Sequence, residues 1–235
     1  MTTLGIDTST RYGTIGLIAN GNLQGEFTFN ARESQSEKLL ATLDTLLHEV
    51  EVQLDEISRI AVSIGPGSFT GLRIGISTAQ GLAHGLGVTV VGITLTEAYY
   101  SRVKGYSGPV CTIISDRRNL VYYALFDEDG EKIRGEESTS IANLEGILED
   151  NAGDRGHPVL LVGDGVAHNS GEFGQFDNSI LAEGRLNYPS GAQIGFLGEK
   201  IDEGVDQITS IEPLYAQRPI AELNWVKKQK GDNNG

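Results

Sequence analysis

The sequence has few of the residues that build cross-links, metal sites and nucleophilic catalytic centres. Cys111 is the only cysteine, so no disulfide can form within the chain, and its apolar neighbours predict a buried, inert thiol. A zinc or iron site needs convergent ligands, but the four histidines are scattered, with no pair at i, i+4. They are His48, His84, His157 and His168. A Gly-x-Ser-x-Gly motif is also missing, so the sequence predicts no metal site and no catalytic residue, although a Ser-His-Asp arrangement stays open.

Positive charge and long apolar runs are also scarce. The formal net charge is -14, and the only dense basic run, Lys227-Lys228-Gln229-Lys230, lies in a polar tail over residues 227–235. Because neutralisation of phosphates supplies most of the affinity for nucleic acids, any contact with RNA is expected to be indirect. No apolar run approaches the ~18 residues of a membrane span, and the first residues do not resemble a signal peptide. The sequence therefore predicts a soluble cytoplasmic protein without a membrane partner.

Glycine, in contrast, is abundant: 31 of the 235 residues are glycine, about 13%, against ~7% in an average protein. No Gly-rich linker accounts for the excess, so the glycines are expected at turns and close contacts. The opening of the chain predicts three strands, at residues 4–6, 13–19 and 23–29. Asn20-Gly21 joins the last two, and this pair is the strongest short signal for a β-hairpin. The first strand ends at Asp7.

A helical pattern follows the opening strands. Ser34 and Glu37 have the spacing of a capping box, and the apolar residues behind them recur with the period of an amphipathic helix. These residues are Leu39, Leu40, Leu43, Leu46, Leu47 and Val50. A strand at residues 59–64, a helix up to residue 86, a strand at 88–93 and a helix capped by Thr94 and Glu97 are predicted next.

The second half of the chain repeats the first. After Ser107-Gly108-Pro109, a strand ends at Asp116, and a turn contains Gly130. These two residues lie 109 positions after Asp7 and Gly21. Matching offsets in matching contexts indicate a duplication, hence a two-lobed α/β fold with lobes at 1–104 and 105–190. A helical segment at about 191–226 is expected to pack back on the first lobe.

The segment Gly65-Pro66-Gly67-Ser68-Phe69-Thr70-Gly71 joins a predicted strand to a helix. Backbone N–H groups at such a helix start can bind an anion, and two-lobed folds of this type often hold a nucleotide between the lobes. The candidate residues for such a site are Asp7, Thr8, Ser9, Gly65, Gly67, Ser68, Thr70 and Asp116. A tight turn without a ligand explains the loop equally well, and each aspartate could simply cap its own turn. The loop at residues 65–71 is not a Walker loop, because no lysine follows its second glycine.

The helix after this loop carries two rows of small residues at i, i+4. One row is Gly71, Gly75, Ala79 and Ala83, and the other is Ser77, Gly81 and Gly85. Interior glycines cost ~1 kcal/mol each in helix propensity, so packing must compensate for them. Small rows allow close approach of another element, from the same chain or from another one. The residues alone favour packing within the chain.

Several motifs resemble the TsaB (YeaZ) family. They are Ile6-Asp7-Thr8-Ser9-Thr10, Gln35-Ser36-Glu37-Lys38, the stretch at residues 60–75 with its GPGSFTGLRIG string, and Glu212-Pro213-Leu214-Tyr215. Gln35, where many members have histidine, and Ala216-Gln217-Arg218 depart from the pattern. The resemblance implies an ASKHA fold, that is, the duplicated fold of actin, Hsp70 and sugar kinases. It also implies a role in forming threonylcarbamoyladenosine at position 37 of tRNA.

In that family the catalytic paralogue is TsaD, TsaE is an ATPase, and TsaB-like subunits bind TsaD through helices of their first lobe. The resemblance thus implies a non-catalytic subunit that touches tRNA only indirectly. The partner interface that it implies consists of Leu39, Leu43, Leu46, Leu72, Gly75, Ile76, Ala79, Leu82 and Ala83. A stand-alone ATPase or small-molecule kinase is the alternative, and a homodimer through the same helices is a third reading. No cofactor is firmly predicted, and ATP or ADP at an interface of the complex stays open.

Overall fold

The structure is a computed structural model that describes residues 1–30, 35–116, 120–152, 156–201 and 211–214. Its strands are β1 (Thr2–Asp7), β2 (Tyr12–Ala19), β3 (Asn22–Asn30), β4 (Arg59–Gly65), β5 (Thr89–Thr94), β6 (Val110–Ser115), β7 (Leu120–Phe126), β8 (Lys132–Ser140), β9 (Val159–Val162) and β10 (Ser179–Leu181). Its α-helices are α1 (Gln35–Glu49), α2 (Phe69–Leu86), α3 (Leu95–Ser101), α4 (Ile141–Ala152), α5 (Asp164–His168), α6 (Ser170–Phe173) and α7 (Gly191–Glu199). No helix within these ranges is long and apolar enough to span a bilayer.

The first sheet has the strand order β3-β2-β1-β4-β5. β1, β2 and β3 form the predicted antiparallel meander, and β4 and β5 run parallel to β1. The hairpin between β2 and β3 turns at Asn20 and Gly21, whose φ angles of 51° and 75° are those that the sequence pair favours. The prediction for the opening of the chain is therefore confirmed.

The second sheet repeats this order as β10-β9-β6-β7-β8. β6, β7 and β8 are antiparallel, and β9 and β10 are parallel to β6. Gly130, the counterpart of Gly21, also has positive φ, at 87°. The duplication inferred from the matching offsets is thus present in the topology. β10 completes the copy, although the sequence pattern did not predict this strand.

One face of the first sheet is covered by α1 and α2. Four leucines of α1 pack with apolar residues of α2 and with Leu4 and Ile6 of β1 in a single cluster, whereas Leu40 of the predicted stripe is exposed. Side chains alternate along a strand, so Gly5 points to the opposite face. That face is covered by α7, a helix from late in the chain.

Glycines allow α7 to lie directly on the strands. A Cβ on Gly5 would overlap the carbonyl oxygen of Gly191, and one on Gly195 would come within 2.8 Å of the Ile18 side chain. At the end of α7, the buried Arg59 Nη1 donates to the carbonyl oxygens of Gly198 (2.7 Å) and Ile201 (2.6 Å). These contacts fix the helix to the first sheet by close packing and by a buried guanidinium.

A common hydrophobic cluster joins the two sheets. It contains Ala61 and Val91 from the first sheet, Ile114 from the second, Tyr99 from α3 and Ile194 from α7. α3 and α7 therefore lie in the seam between the lobes. Several predictions fall outside the described residues: the cap at Ser34, most of the helical segment expected up to residue 226, and the tail at 227–235.

Candidate functional site

The turn after β1 packs directly against the start of α2. Thr8 Oγ1 donates to the carbonyl oxygen of Gly71 at 2.7 Å, and the Ser68 N–H donates to the Ser9 carbonyl oxygen at 2.6 Å. Ser68 also caps α2, because its Oγ accepts from the Gly71 N–H. Two segments that are about 60 residues apart in sequence are therefore joined by their own hydrogen bonds.

The glycines of the loop make this contact close. A Cβ on Gly67 would overlap the Ser9 carbonyl oxygen, and one on Gly71 would overlap that of Thr8. A Cβ on Gly75 would lie 2.5 Å from Thr8 Oγ1. The structure thus brings two parts of the predicted anion site together, the turn after β1 and the loop before α2, but they contact each other. This arrangement favours the interpretation of the loop as a tight structural turn.

Two further members of the predicted anion site, Gly65 and Thr70, lie beside this contact. Gly65 has a φ of 103°, and beside it the Leu214 N–H donates to the Ile64 carbonyl oxygen at 2.7 Å. Thr70 is exposed in the first turn of α2.

Asp7 is fully buried at the end of β1. Its Oδ1 accepts from the Ser9 N–H (3.0 Å) and the Ser9 hydroxyl (2.6 Å), so Asp7 caps its own turn. Its Oδ2 has no hydrogen-bond partner among the residues that the structure describes. Burial raises the pKa of this carboxyl, although the hydrogen bonds from Ser9 act in the opposite direction. The local turn thus supplies hydrogen bonds to Oδ1 of Asp7 but none to Oδ2.

Asp116 occupies the matching position at the end of β6 and is half-buried. Its backbone N–H donates to the Leu120 carbonyl oxygen at 3.1 Å. Burial raises the pKa of the neighbouring Tyr122 to about 12, and the carboxylate of Asp116 adds to this effect. Asp116 is therefore tied to its own sheet through Tyr122.

A different aspartate interacts electrostatically with Asp7. Asp164 follows β9, is 2% exposed, and accepts a hydrogen bond of 3.2 Å from the Ser115 N–H. Burial raises the pKa of Asp164 to about 7, and the negative charge of Asp7 contributes to the rise. The sequence signal for this residue was Gly163-Asp164-Gly165 after a buried strand, but the pattern alone did not assign it a role.

The interface expected on α1 and α2 needs correction. Leu39, Leu43, Leu46, Leu72 and Ile76 are 0–5% exposed and belong to the chain's own core. Three small residues of the predicted interface, Gly75, Ala79 and Ala83, are buried as well. Of the nine, Leu82 alone is partly exposed. The reason is that the first small row of α2 faces the first sheet, so these side chains present no surface to a partner.

The second small row of α2 is on the outside. Ser77, Gly81 and Gly85 are exposed, in line with Phe69 and Arg73 at the same i, i+4 spacing. We call these five residues the exposed α2 face. The Arg73 guanidinium lies 4.1 Å from the centroid of the Phe69 ring, a cation–π contact at the surface. A groove of about 490 Å³ runs along this end of the helix, lined by Phe69, Thr70, Arg73, Ile74, Ser77 and Thr78.

Metal-binding chemistry finds no support in the parts of the chain that the structure describes. No group of three or more His, Cys, Asp or Glu side chains is placed there to hold an ion. Cys111 is buried, and burial raises its pKa far above the usual range. The thiol is therefore inert in the folded chain.

The topology defines the class of protein. Two sheets with the same strand order are joined through a common core, with Asp7 at the end of β1 and Asp116 directly after β6, and they form the two-lobed ASKHA architecture.

Comparisons with known proteins narrow the class to a family. A family model described as TsaD, tRNA N6-adenosine threonylcarbamoyltransferase, matches residues 29–225. The tRNA threonylcarbamoyladenosine biosynthesis protein TsaB of Bacillus subtilis is 26% identical over 239 residues, which cover 98% of this chain and 100% of the relative. The Escherichia coli protein of the same name is 28% identical, with coverage of 97% and 98%. YeaZ from Pseudomonas aeruginosa has a similar structure, with a TM-score of 0.69 at 22% identity, covering 91% of this chain and 99% of that one.

The chain belongs to the family of this model and, with the relatives named TsaB, to its TsaB (YeaZ) members.

Proposed function

We propose that this chain takes part in the biosynthesis of threonylcarbamoyladenosine at position 37 of tRNA, as a non-catalytic subunit that binds a TsaD-like catalytic paralogue. The names of its full-length relatives support the pathway. The observation that carries the role of partner subunit is the exposed α2 face, in particular its two glycines. A TsaE-like ATPase is a further expected member of the complex. The net charge of -14 favours contact with tRNA through other subunits.

Within the residues that the structure describes, no contact explains the two exposed glycines. A Cβ on Gly81 or Gly85 would meet no atom within 4 Å, whereas one on Gly75 would strike Thr8. Alanine at either exposed position would add ~1 kcal/mol of helix propensity. A helix of another chain that packs closely against this row would account for residues that the isolated chain does not need. The partner is therefore expected to approach α2 along Ser77, Gly81 and Gly85.

The proposal that the chain is non-catalytic rests on the contacts that occupy the candidate anion site. The turn at Asp7–Thr10 and the first turn of α2 use their polar groups on each other. The glycines that could admit a phosphate admit the backbone of Thr8 and Ser9 instead. These contacts weigh against a nucleotide at this loop and favour a scaffold role.

Substitution on the exposed α2 face tests the proposal. Gly81→Gln places a long side chain where the partner would pack, yet glutamine is a good helix former, so the chain should still fold. We expect affinity for the TsaD-like protein of the same organism to fall at least tenfold, about 1.4 kcal/mol, in calorimetric titrations. Gly146→Gln is the matched control, because Gly146 is an exposed interior glycine of α4 with open space around it. Unchanged affinity for Gly81→Gln would refute this placement of the interface.

The alternative is a stand-alone ATPase or small-molecule kinase that uses Asp7 and Asp116. Titration of the isolated chain with Mg-ATP separates the two functions: tight binding without a partner supports the enzyme, and no heat supports the scaffold. Binding of ATP or ADP only after the TsaD-like protein is added would place the nucleotide at the interface of the complex. A homodimer through the exposed α2 face would be dissociated by the partner, which light scattering detects.

A further inference from the structure

The charge of α2 differs from that of the rest of the chain. The chain has 32 acidic residues against 18 basic ones, which gives the net charge of -14. The 18 residues of α2, in contrast, include no Asp and no Glu, and Arg73 is the only Lys or Arg among them. The exposed α2 face is therefore a surface without carboxylates on a strongly acidic protein, and its formal charge is positive.

The guanidinium of Arg73 is held in place but is not neutralised. It lies 4.1 Å from the centroid of the Phe69 ring, one turn earlier on the helix. Arg73 is exposed, and it forms no ion pair with any residue that the structure describes. A guanidinium carries its N–H donors in a planar fork that matches the two oxygens of a carboxylate. Stacking on Phe69 therefore orients a charged donor whose counter-ion is not supplied by the described part of the chain.

Apolar surface lies directly beside this charge. The Phe69 side chain is 48% exposed, and Ile74, which is half-buried, lines the same groove of about 490 Å³. Aromatic residues and arginine are enriched among the residues that dominate binding energy at protein interfaces. The groove thus offers a cation and an apolar wall within one helical turn.

We propose that Arg73 determines the specificity of the exposed α2 face by binding a carboxylate of the TsaD-like partner, next to an apolar side chain of that partner which enters the groove beside Phe69 and Ile74. This inference rests on the proposed function and deepens it. The segment that docks is expected to carry an Asp or Glu about one helical turn from an apolar residue, because Arg73 and Phe69 have that spacing.

Charge complementarity favours this occupant over two others. A symmetric contact between the α2 helices of two copies would offer Arg73 no carboxylate from the facing helix, because α2 contains none. A nucleic acid needs several cations to neutralise its phosphates, whereas α2 supplies one on a chain of net charge -14. A protein segment with a carboxylate matches a single oriented guanidinium.

Substitution of Arg73 tests the pair. Arg73→Gln removes the charge and leaves the partner's carboxylate without its donor, so the dissociation constant should rise about 30-fold or more. Arg73→Lys keeps the charge but not the fork, and it should recover part of the affinity. Lys104→Gln is the matched control, because Lys104 is exposed beyond the end of α3 and its loss changes the net charge equally.

The assay is calorimetric titration of the full chain with the TsaD-like protein of the same organism, at about 0.05 M and about 0.5 M salt. Salt screens an exposed or partly exposed ion pair, so the wild type and Lys104→Gln should lose affinity at high salt, and Arg73→Gln should lose much less. Circular dichroism of each variant checks the fold. Glutamine and arginine have similar helix propensities, so α2 should be preserved.

The outcomes separate this inference from the proposed function. If Gly81→Gln weakens binding and Arg73→Gln does not, the role of Arg73 is wrong and the interface stands. If the wild-type chain does not bind the TsaD-like protein, both are wrong. A loss of affinity with the salt dependence unchanged would show that Arg73 acts by packing and not by charge, which also overturns the proposal. So would a variant that weakens self-association or binding of tRNA while binding of the partner is unaffected.

Discussion

The same substitution at two glycines of α2 should have opposite effects on stability. Gly75 and Gly81 both lie inside the helix, so alanine gains the same ~1 kcal/mol of helix propensity at each site. The surroundings differ: a Cβ on Gly81 meets open space, whereas a Cβ on Gly75 lies 2.5 Å from Thr8 Oγ1. Thr8 is 2% exposed and bonded to the Gly71 carbonyl oxygen, so its side chain cannot move aside freely.

The difference between the two variants isolates the steric cost at Thr8. Overpacking of a dense core costs about 1–3 kcal/mol. We therefore expect Gly81→Ala to raise the free energy of unfolding by about 1 kcal/mol. The free energy of unfolding of Gly75→Ala should be lower than that of Gly81→Ala by about 1–3 kcal/mol. Urea unfolding of the isolated chain, monitored by circular dichroism, measures both free energies. The comparison requires that the variants have the same m value, which is the slope of this free energy against urea concentration.

A double-mutant cycle identifies the atom responsible. Thr8→Ala removes Oγ1, so Gly75→Ala should be less costly in that background than in the wild type, with a coupling of about 1 kcal/mol. Gly146→Ala in α4 supplies the control for propensity without a neighbour. The reasoning is wrong if Gly75→Ala stabilises the chain as much as Gly81→Ala does.

Two further predictions concern the buried interior. Arg59→Met should lower the free energy of unfolding by about 3 kcal/mol in the same urea assay, because the buried carbonyl oxygens of Gly198 and Ile201 lose their donor. Arg59→Lys should recover part of this loss. If Arg59→Met loses less than about 1 kcal/mol, the contact is dispensable for stability. Cys111 should react with a thiol reagent at pH 8 only in denaturant, because burial raises its pKa and blocks access; rapid reaction in buffer would contradict its placement.

Local chemistry made much of the fold predictable. Asn20-Gly21 specified the first hairpin because few pairs tolerate two positive φ angles. Thr94 caps α3 through its side-chain oxygen, as the sequence indicated, and Ser68 and Ser190 cap α2 and α7 in the same way. The short strand β10 was missed, because three residues carry too little periodicity to be recognised.

The candidate site was harder to predict, because it depends on contacts between distant segments. The sequence showed two rows of small residues on α2 but not which row faces the sheet. Gly71 and Gly75 face it because they pack against Thr8, which is more than 60 positions away in the sequence. Asp164 gave a weak signal, because its raised pKa arises from burial at the seam and from Asp7 in the other lobe. Such effects follow from tertiary packing and leave no pattern in a single sequence.

The position of α7 has a consequence for the order of events during synthesis. β1, β2 and β4 are made first, yet among the described residues it is the late helix at 191–199 that covers the face around Gly5. While the nascent chain emerges, that face remains open until most of the protein has been translated. Contacts of such long sequence separation slow folding, so the first lobe should acquire resistance to proteases late, when α7 has left the ribosome. Nascent chains arrested at residue 190 and at the full length, compared by limited proteolysis, would show this step.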